Sequence, residues 1–202
     1  SLEMSRESLG QRIDANLLDI SLTDLKKCPK QLLDKKWSQF LNTTKGKKLG
    51  KLIIQEYPTV SAHCGHFKAL ISELKHKQKF VPDIIFIDYM NICLSQRIKS
   101  NQSHNTYVYI KSIAEEIRRL AVETNTAIFT ATQLNRDGYN NTEVSAANTS
   151  ESMGGPMTFD WYFALVSTPE LEQKQQILLI QFKNRFAECF GSTNKVILGI
   201  DR

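Results

Sequence analysis

Apolar positions along the chain fall into blocks that switch between a helical and an extended period. From Ser5 to Leu18 they recur at helical spacing, with Leu9, Ile13, Leu17 and Leu18 on one side. Thr23 to Leu41 continues in the same way as one or two helices, interrupted at Pro29, which cannot sit inside a helix. Leu49 to Glu56 reads as a strand that ends before Pro58, and Phe67 to Lys77 as an amphipathic helix built on Phe67, Leu70, Ile71 and Leu74. Ile84-Ile85-Phe86-Ile87 is a short unbroken apolar run, the pattern of a parallel strand covered on both faces. A long helix follows over Tyr107 to Thr124, with Ile110, Ile113, Ile117, Leu120 and Ala121 forming its buried stripe. Thr126 to Thr132 is a second buried strand, and Trp161 to Ser167, Gln176 to Lys183 and Lys195 to Ile200 are three more, the last two paired as a hairpin around Asn184 to Thr193. Ser95 to Asn105 is a polar segment, and Asn135 to Ser152 reads as a long loop of a length that is usually functional or mobile. This strand–helix rhythm predicts an α/β fold with a mostly parallel sheet, flanking helices and a C-terminal antiparallel hairpin.

Composition narrows the class without naming it. The 202 residues suffice for one well-buried domain and are marginal for two. No apolar run is long enough to span a membrane, and the acidic start Ser1-Leu2-Glu3-Met4 is no signal peptide. The net charge of +5 permits contact with phosphate backbones without requiring it. Cys28, Cys64, Cys93 and Cys189 are scattered, which argues against a disulfide framework and fits a reduced, cytoplasmic setting. His63-Cys64-Gly65-His66 lacks a second cluster to complete a metal site and reads as a turn entering a helix.

Four places carry candidate chemistry. Asp88 ends the run Ile84 to Ile87, and open α/β sheets bind ligands at the carboxyl ends of their strands. A carboxylate there is costly unless it meets a cation or a donor; in P-loop nucleotide triphosphatases this position holds magnesium, usually through water. The alternative is an Asp that caps the following loop. Gln133 ends the other central strand, where an amide can contact a terminal phosphate or an attacking water; the alternative is a solvated loop residue. Glu3 follows what reads as the end of a strand, where a carboxylate near a γ-phosphate could polarise water, or it is a plain surface glutamate. Lys183-Asn184-Arg185 leaves a strand toward a turn, a point charge and a planar fork suited to polyphosphate, or a solvated basic turn.

These elements gain weight by their order. Ser1-Leu2-Glu3-Met4, Arg12-Ile13-Asp14-Ala15-Asn16, Ile87-Asp88-Tyr89, Thr132-Gln133-Leu134-Asn135-Arg136 and Lys183-Asn184-Arg185 together resemble the DnaB-type replicative helicases, and within them the T-even-type phage branch. The resemblance implies a RecA-like motor working as a homo-hexameric ring on single-stranded DNA, with ATP and magnesium as cofactors and ATP seated between subunits. It implies Glu3 as the catalytic glutamate, Asp88 as the Walker B aspartate that organises magnesium through water, Gln133 as the γ-phosphate sensor, and Lys183 with Arg185 as the pair offered to the neighbour's ATP, Arg185 being the finger. Arg97 and Lys99 in the first loop, and Arg136, Tyr139, Asn140 and Asn141 in the second, are the implied DNA contacts. Primase and a helicase loader are the implied protein partners, and the host cytoplasm the implied setting. Glu151 and Asp160 fit a further motif of the family loosely, with no role assigned.

One departure stands out. No GxxxxGK[ST] phosphate loop occurs; Gly46-Lys47-Lys48-Leu49-Gly50-Lys51 is one residue short, with Leu52 where a hydroxyl should hold magnesium. On the family pattern that loop precedes Ser1. Residues 1–202 are therefore expected to form a partial RecA-like ATPase domain from the C-terminal part of a longer chain, with a slot in the sheet between the strands Thr126–Thr132 and Trp161–Ser167, and to neither bind ATP tightly nor unwind DNA alone. Two other readings stay open: a non-enzymatic RecA-fold module such as a recombination mediator or assembly partner, and a generic α/β enzyme in which Glu3, Asp88, Gln133 and the basic turn do not converge.

Overall fold

In a computed structural model of the chain, residues 1–98, 105–133, 158–186 and 194–200 are described. The chain divides into two compact units, Ser1–Tyr57 and Pro58–Arg202.

The first unit is helical. Helix α1 (Arg6–Leu18) starts where the Ser5 hydroxyl accepts the Ser8 N–H at 3.2 Å, and it ends at Asp19, whose left-handed backbone (φ 52°) returns its N–H to the Ala15 carbonyl. Ser21 caps α2 (Leu22–Lys27) in the same way, and Pro29 separates it from α3 (Lys30–Leu41), as the sequence requires. Helix α4 (Thr44–Lys47) contains Gly46, and a Cβ there would lie 2.6 Å from the Leu41 Cα. That glycine serves close packing against the end of α3, which explains the false resemblance to a phosphate loop. The strand expected over Leu49 to Glu56 does not form. The segment pairs instead with the first residue: Ser1 donates its amino group to the Gln55 carbonyl at 2.8 Å and accepts the Tyr57 N–H at 3.0 Å. Leu49 and Leu52 are exposed, so the apolar run has neither a ladder nor a buried face to hold it as a strand.

The second unit opens with α5 (Cys64–Gln78). His63 and His66 form a reciprocal cap: His63 Nδ1 accepts the Gly65 N–H at 3.0 Å, and the His63 N–H reaches His66 Nδ1 at 3.3 Å. Both imidazoles are thereby used at the helix start, and no metal-binding group of His, Cys, Asp or Glu occurs among the described residues. Phe67, Leu74 and Cys64 are its buried positions.

Strand β1 (Ile84–Ile87) leads into a 3-10 turn (Met90–Ile92), and α6 (Thr106–Thr124) later returns the chain to β2 (Ala127–Thr130). The two strands are parallel and in register from Ile84↔Ala127 to Ile87↔Thr130. The stripe of α6 is buried as expected at Ile110, Ile113, Ile117 and Leu120. Full cover of β1 is not observed: Ile84 and Phe86 are 53% and 71% exposed, and Phe86 stacks on its register partner Phe129 with ring centroids 5.3 Å apart. The register puts Ile84, Phe86, Ala127 and Phe129 on one face, which the described residues leave open, while Ile87 is buried on the other.

A second sheet has the order β3 (Trp161–Val166), β4 (Gln176–Asn184), β5 (Lys195–Gly199), antiparallel throughout, with the expected hairpin between the last two. A short helix α7 (Pro169–Gln173), not foreseen from the sequence, crosses from β3 to β4. Ala164, Val166, Leu178 and Ile180 form the core of this sheet, with Leu171 and Phe182 against them. Among the described residues β2 and β3 are not hydrogen-bonded to each other. A cavity of about 580 Å³ lies between them, lined by both strands and by Ile117, Arg118 and Ala121 of α6.

Candidate nucleotide site

Asp88 follows the last residue of β1, and Gln133 lies just past the end of β2. Because those strands are parallel neighbours in register, the two side chains belong to adjacent carboxyl tips of one sheet. Two hydrogen bonds hold the tips together. Thr130 Oγ1 donates to the Ile87 carbonyl at 2.9 Å, and the Met90 N–H donates to the Ala131 carbonyl at 3.3 Å. The Asp88–Tyr89 peptide bond is cis. Asp88 is half-buried and Gln133 exposed.

The chain after the 3-10 turn is stapled to α6 by Glu116, a residue that sequence reasoning passed over. Its carboxylate, only 6% exposed, accepts from Ser95 Oγ at 2.6 Å and from the Gln96 N–H at 3.0 Å. Arg97, expected to face DNA, is engaged here: it donates to Glu115 Oε2 at 2.6 Å and to the Ser112 carbonyl at 3.1 Å, and its Nε lies 3.5 Å from Glu116 Oε1. Any contact from Arg97 to a phosphate competes with this pairing. Lys99, Arg136, Tyr139, Asn140, Asn141 and Glu151 lie outside the described residues.

The basic turn is built by a β-bulge. Between Tyr162 and Phe163 the β3–β4 register shifts, so that Phe182 and Lys183 together oppose Tyr162. Beyond the bulge Trp161 faces Asn184, and the Arg185 N–H donates to the Asp160 carbonyl at 2.8 Å. Arg185 Nη1 also lies 2.7 Å from Asp160 Oδ1. The same oxygen accepts from Arg118 Nη1 on α6 at 2.7 Å, and Arg118 Nη1 further bonds the Thr158 carbonyl at 3.0 Å. Lys183 is half-buried; partial burial pulls its pKa down, followed by repulsion from Arg185, with Asp160 opposing and Arg118 adding to the depression. Arg118 and Asp160 were not marked for this role in the sequence.

Glu3 is exposed in the first unit, where the Ser1 hydroxyl accepts the Met4 N–H at 3.0 Å and fixes the turn that carries it. The described structure thus places Asp88 and Gln133 past the ends of two adjacent parallel strands, and Lys183 and Arg185 at the end of β4.

The donor chemistry suits magnesium and a triphosphate in part. A single carboxylate at a strand tip, beside a neutral amide, fits a hard cation that keeps most of its water. A Gly-rich phosphate cradle is not supplied by residues 1–202.

An α/β unit with these paired strand tips has the architecture of RecA-like helicase ATPase domains. The fold superposes on one solved ATPase domain with a TM-score of 0.72 at 17% identity, covering 98% of this chain and 69% of that one. It matches equally, at a TM-score of 0.72 and 16% identity over 98% of this chain and 47% of the other, a DnaB-like replicative helicase whose structure was described with its interactions with primase. Sequence is more specific than fold. The family model for the DnaB-like helicase C terminal domain matches residues 1–150, and the DnaB-like replicative helicase of Enterobacteria phage T4 is 39% identical over 202 residues, all of this chain and 42% of that protein. The chain belongs to the DnaB-like helicase C-terminal domain family, and it spans less than half the length of that relative.

Proposed function

We propose that residues 1–202 are part of the ATP-hydrolysing motor of a replicative DNA helicase that assembles as a hexameric ring and translocates on single-stranded DNA. The observation that carries this reading is the pairing of Asp88 and Gln133 at adjacent tips of two parallel strands. Family membership supports it, as does the basic cross-strand turn at Lys183 and Arg185.

Asp88 would hold magnesium through water, and the bound ion would supply charge neutralisation to the β- and γ-phosphates. Gln133 would sense the terminal phosphate; its strand end is bonded to the turn after Asp88, so a change at one tip is felt at the other. Glu3 would orient and deprotonate the attacking water. Lys183 and Arg185 would serve the nucleotide of the adjoining subunit, Arg185 stabilising charge that develops in the transition state. Single-stranded DNA would be gripped through its backbone by the segments that follow β1 and β2, with Lys99, Arg136, Asn140 and Asn141 on phosphates, Tyr139 stacking on a base and Arg97 setting the path of the first segment. Primase and a loader are the partners that follow from this reading, in a host-cell cytoplasm.

The test is steady-state ATP hydrolysis by the complete protein with and without single-stranded DNA. DNA-stimulated turnover that collapses in Asp88→Asn and Gln133→Ala supports the motor. Retained DNA binding with no turnover in the unsubstituted protein would favour a non-enzymatic RecA-fold module instead.

A further inference from the structure

Among the described residues Asp160 is the carboxylate that meets the basic turn, and the reading of the turn as a finger gives it no task. Its position is built in three steps. The bulge at Phe182 and Lys183 adds one residue to β4, and without it Asn184 rather than Arg185 would stand opposite Asp160. The backbone then closes the pair, the Arg185 N–H on the Asp160 carbonyl at 2.8 Å. Finally the side chains meet at 2.7 Å, and Arg118 reaches the same Oδ1 from α6 at 2.7 Å while it also holds the Thr158 carbonyl.

We propose that Asp160 is a positioning residue, oriented by Arg118, that fixes the guanidinium of Arg185 for the phosphates of a neighbouring subunit's nucleotide. This rests on the finger reading above and deepens it. The geometry leaves the finger competent. Arg185 uses Nη1 on Asp160, its side chain is 39% exposed, and a guanidinium carries further N–H groups on its remaining nitrogens. An arginine side chain otherwise loses much rotamer freedom when it engages a phosphate; a carboxylate that already holds it reduces that loss at the moment of reaction. Two arginines share one carboxylate, so the cluster keeps a net positive charge and stays attractive to polyphosphate. Arg118 links the turn to α6, the helix that connects β1 to β2 and ends directly before the strand whose tip bears Gln133.

The test uses the complete protein with ATP and single-stranded DNA. Asp160→Asn keeps the shape and removes the charge. It is expected to lower kcat about tenfold or more while the KM for ATP stays within about twofold, because a finger acts mainly in the transition state. Asp160→Glu should recover part of the loss. Arg118→Gln should lower the same parameter by less. In an Arg185→Lys background, adding Asp160→Asn should change kcat by no more than about twofold, since the two act as one unit. Ring assembly by sedimentation and the thermal melt separate this from misfolding; should Asp160→Asn fail to fold, Asp160→Glu and Arg118→Gln carry the same comparison. Wild-type kcat in Asp160→Asn, or an undiminished loss on the Arg185→Lys background, would overturn the positioning role. An Arg185→Ala protein with unchanged turnover sinks the finger itself; a dead Arg185→Ala beside a fully active Asp160→Asn sinks the positioning role alone.

Discussion

The backbone N–H of Met90 donates to the carbonyl of Ala131 at 3.3 Å. This bond joins the turn that follows Asp88 to the strand end that precedes Gln133, and it makes the two tips one mechanical element. On the proposed function, Asp88 and Gln133 would answer the same ligand, one through a metal's water shell and one through an amide.

Asp88→Asn removes the charge that would order the magnesium shell and leaves the strand intact. The expected outcome is a loss of ATP turnover of about a hundredfold or more, with the melting temperature of the nucleotide-free protein unchanged or raised, since the variant no longer carries a half-buried carboxylate. Coupled-enzyme ATPase assays and a thermal melt check both halves.

Glu116→Gln replaces a buried acceptor of several hydrogen bonds with a group that must turn one donor toward other donors. It should cost roughly 1–3 kcal/mol. Hydrogen exchange should rise at the Gln96 and Arg97 amides and stay as it is across α5. Unaltered exchange at those amides would show that the staple is not what holds the segment.

Ile180→Ala empties a position that is 1% exposed at the centre of the second sheet's core. A loss of roughly 2–5 kcal/mol is expected in urea unfolding. Phe86→Ala, on the open face of β1, should cost far less, because the ring is 71% exposed.

Burial pushes the thiols of Cys64 and Cys93 up from 9.0 to about 12. At pH 8 both should resist alkylation in the native protein and react on unfolding, as mass spectrometry of iodoacetamide-treated samples can read. The sign for stability follows. The unfolded chain releases these protons from about pH 9 and the folded chain holds them to about 12, so stability is complete below 9 and falls as pH rises through that window. A denaturation midpoint that climbs between pH 9 and 11 would contradict this.

The placement of Asp88 and Gln133 at neighbouring strand ends was legible because apolar runs end there in polar residues. Ile84 to Ile87 and Ala127 to Thr130 are each followed by a polar residue at or near the strand tip, and parallel pairing brings those tips together. Asp160 was not legible in the same way, since its meaning depends on a bulge that offsets β4 by one residue and on an arginine 42 positions earlier on α6. Leu49 to Glu56 misled because an apolar run is not a strand without a partner ladder. Helix α7 was missed although Thr168-Pro169-Glu170 spells a capped start: the Thr168 hydroxyl accepts the Leu171 N–H, with Pro at the first turn. Glu116 interrupts the apolar stripe of α6 with a charge, and that interruption was the available signal for a buried staple.

Subunit mixing is the most direct test that a strand-tip site of one protomer is completed by the basic turn of the next. Arg185→Ala protein retains Asp88, and Asp88→Asn protein retains Arg185, so each is expected to be inactive alone. Rings assembled from equal amounts of the two should recover ATP turnover well above the sum of the separate proteins, since they contain interfaces where an intact Asp88 meets an intact Arg185. Mixed rings whose turnover stays at that sum would contradict a site shared between neighbours.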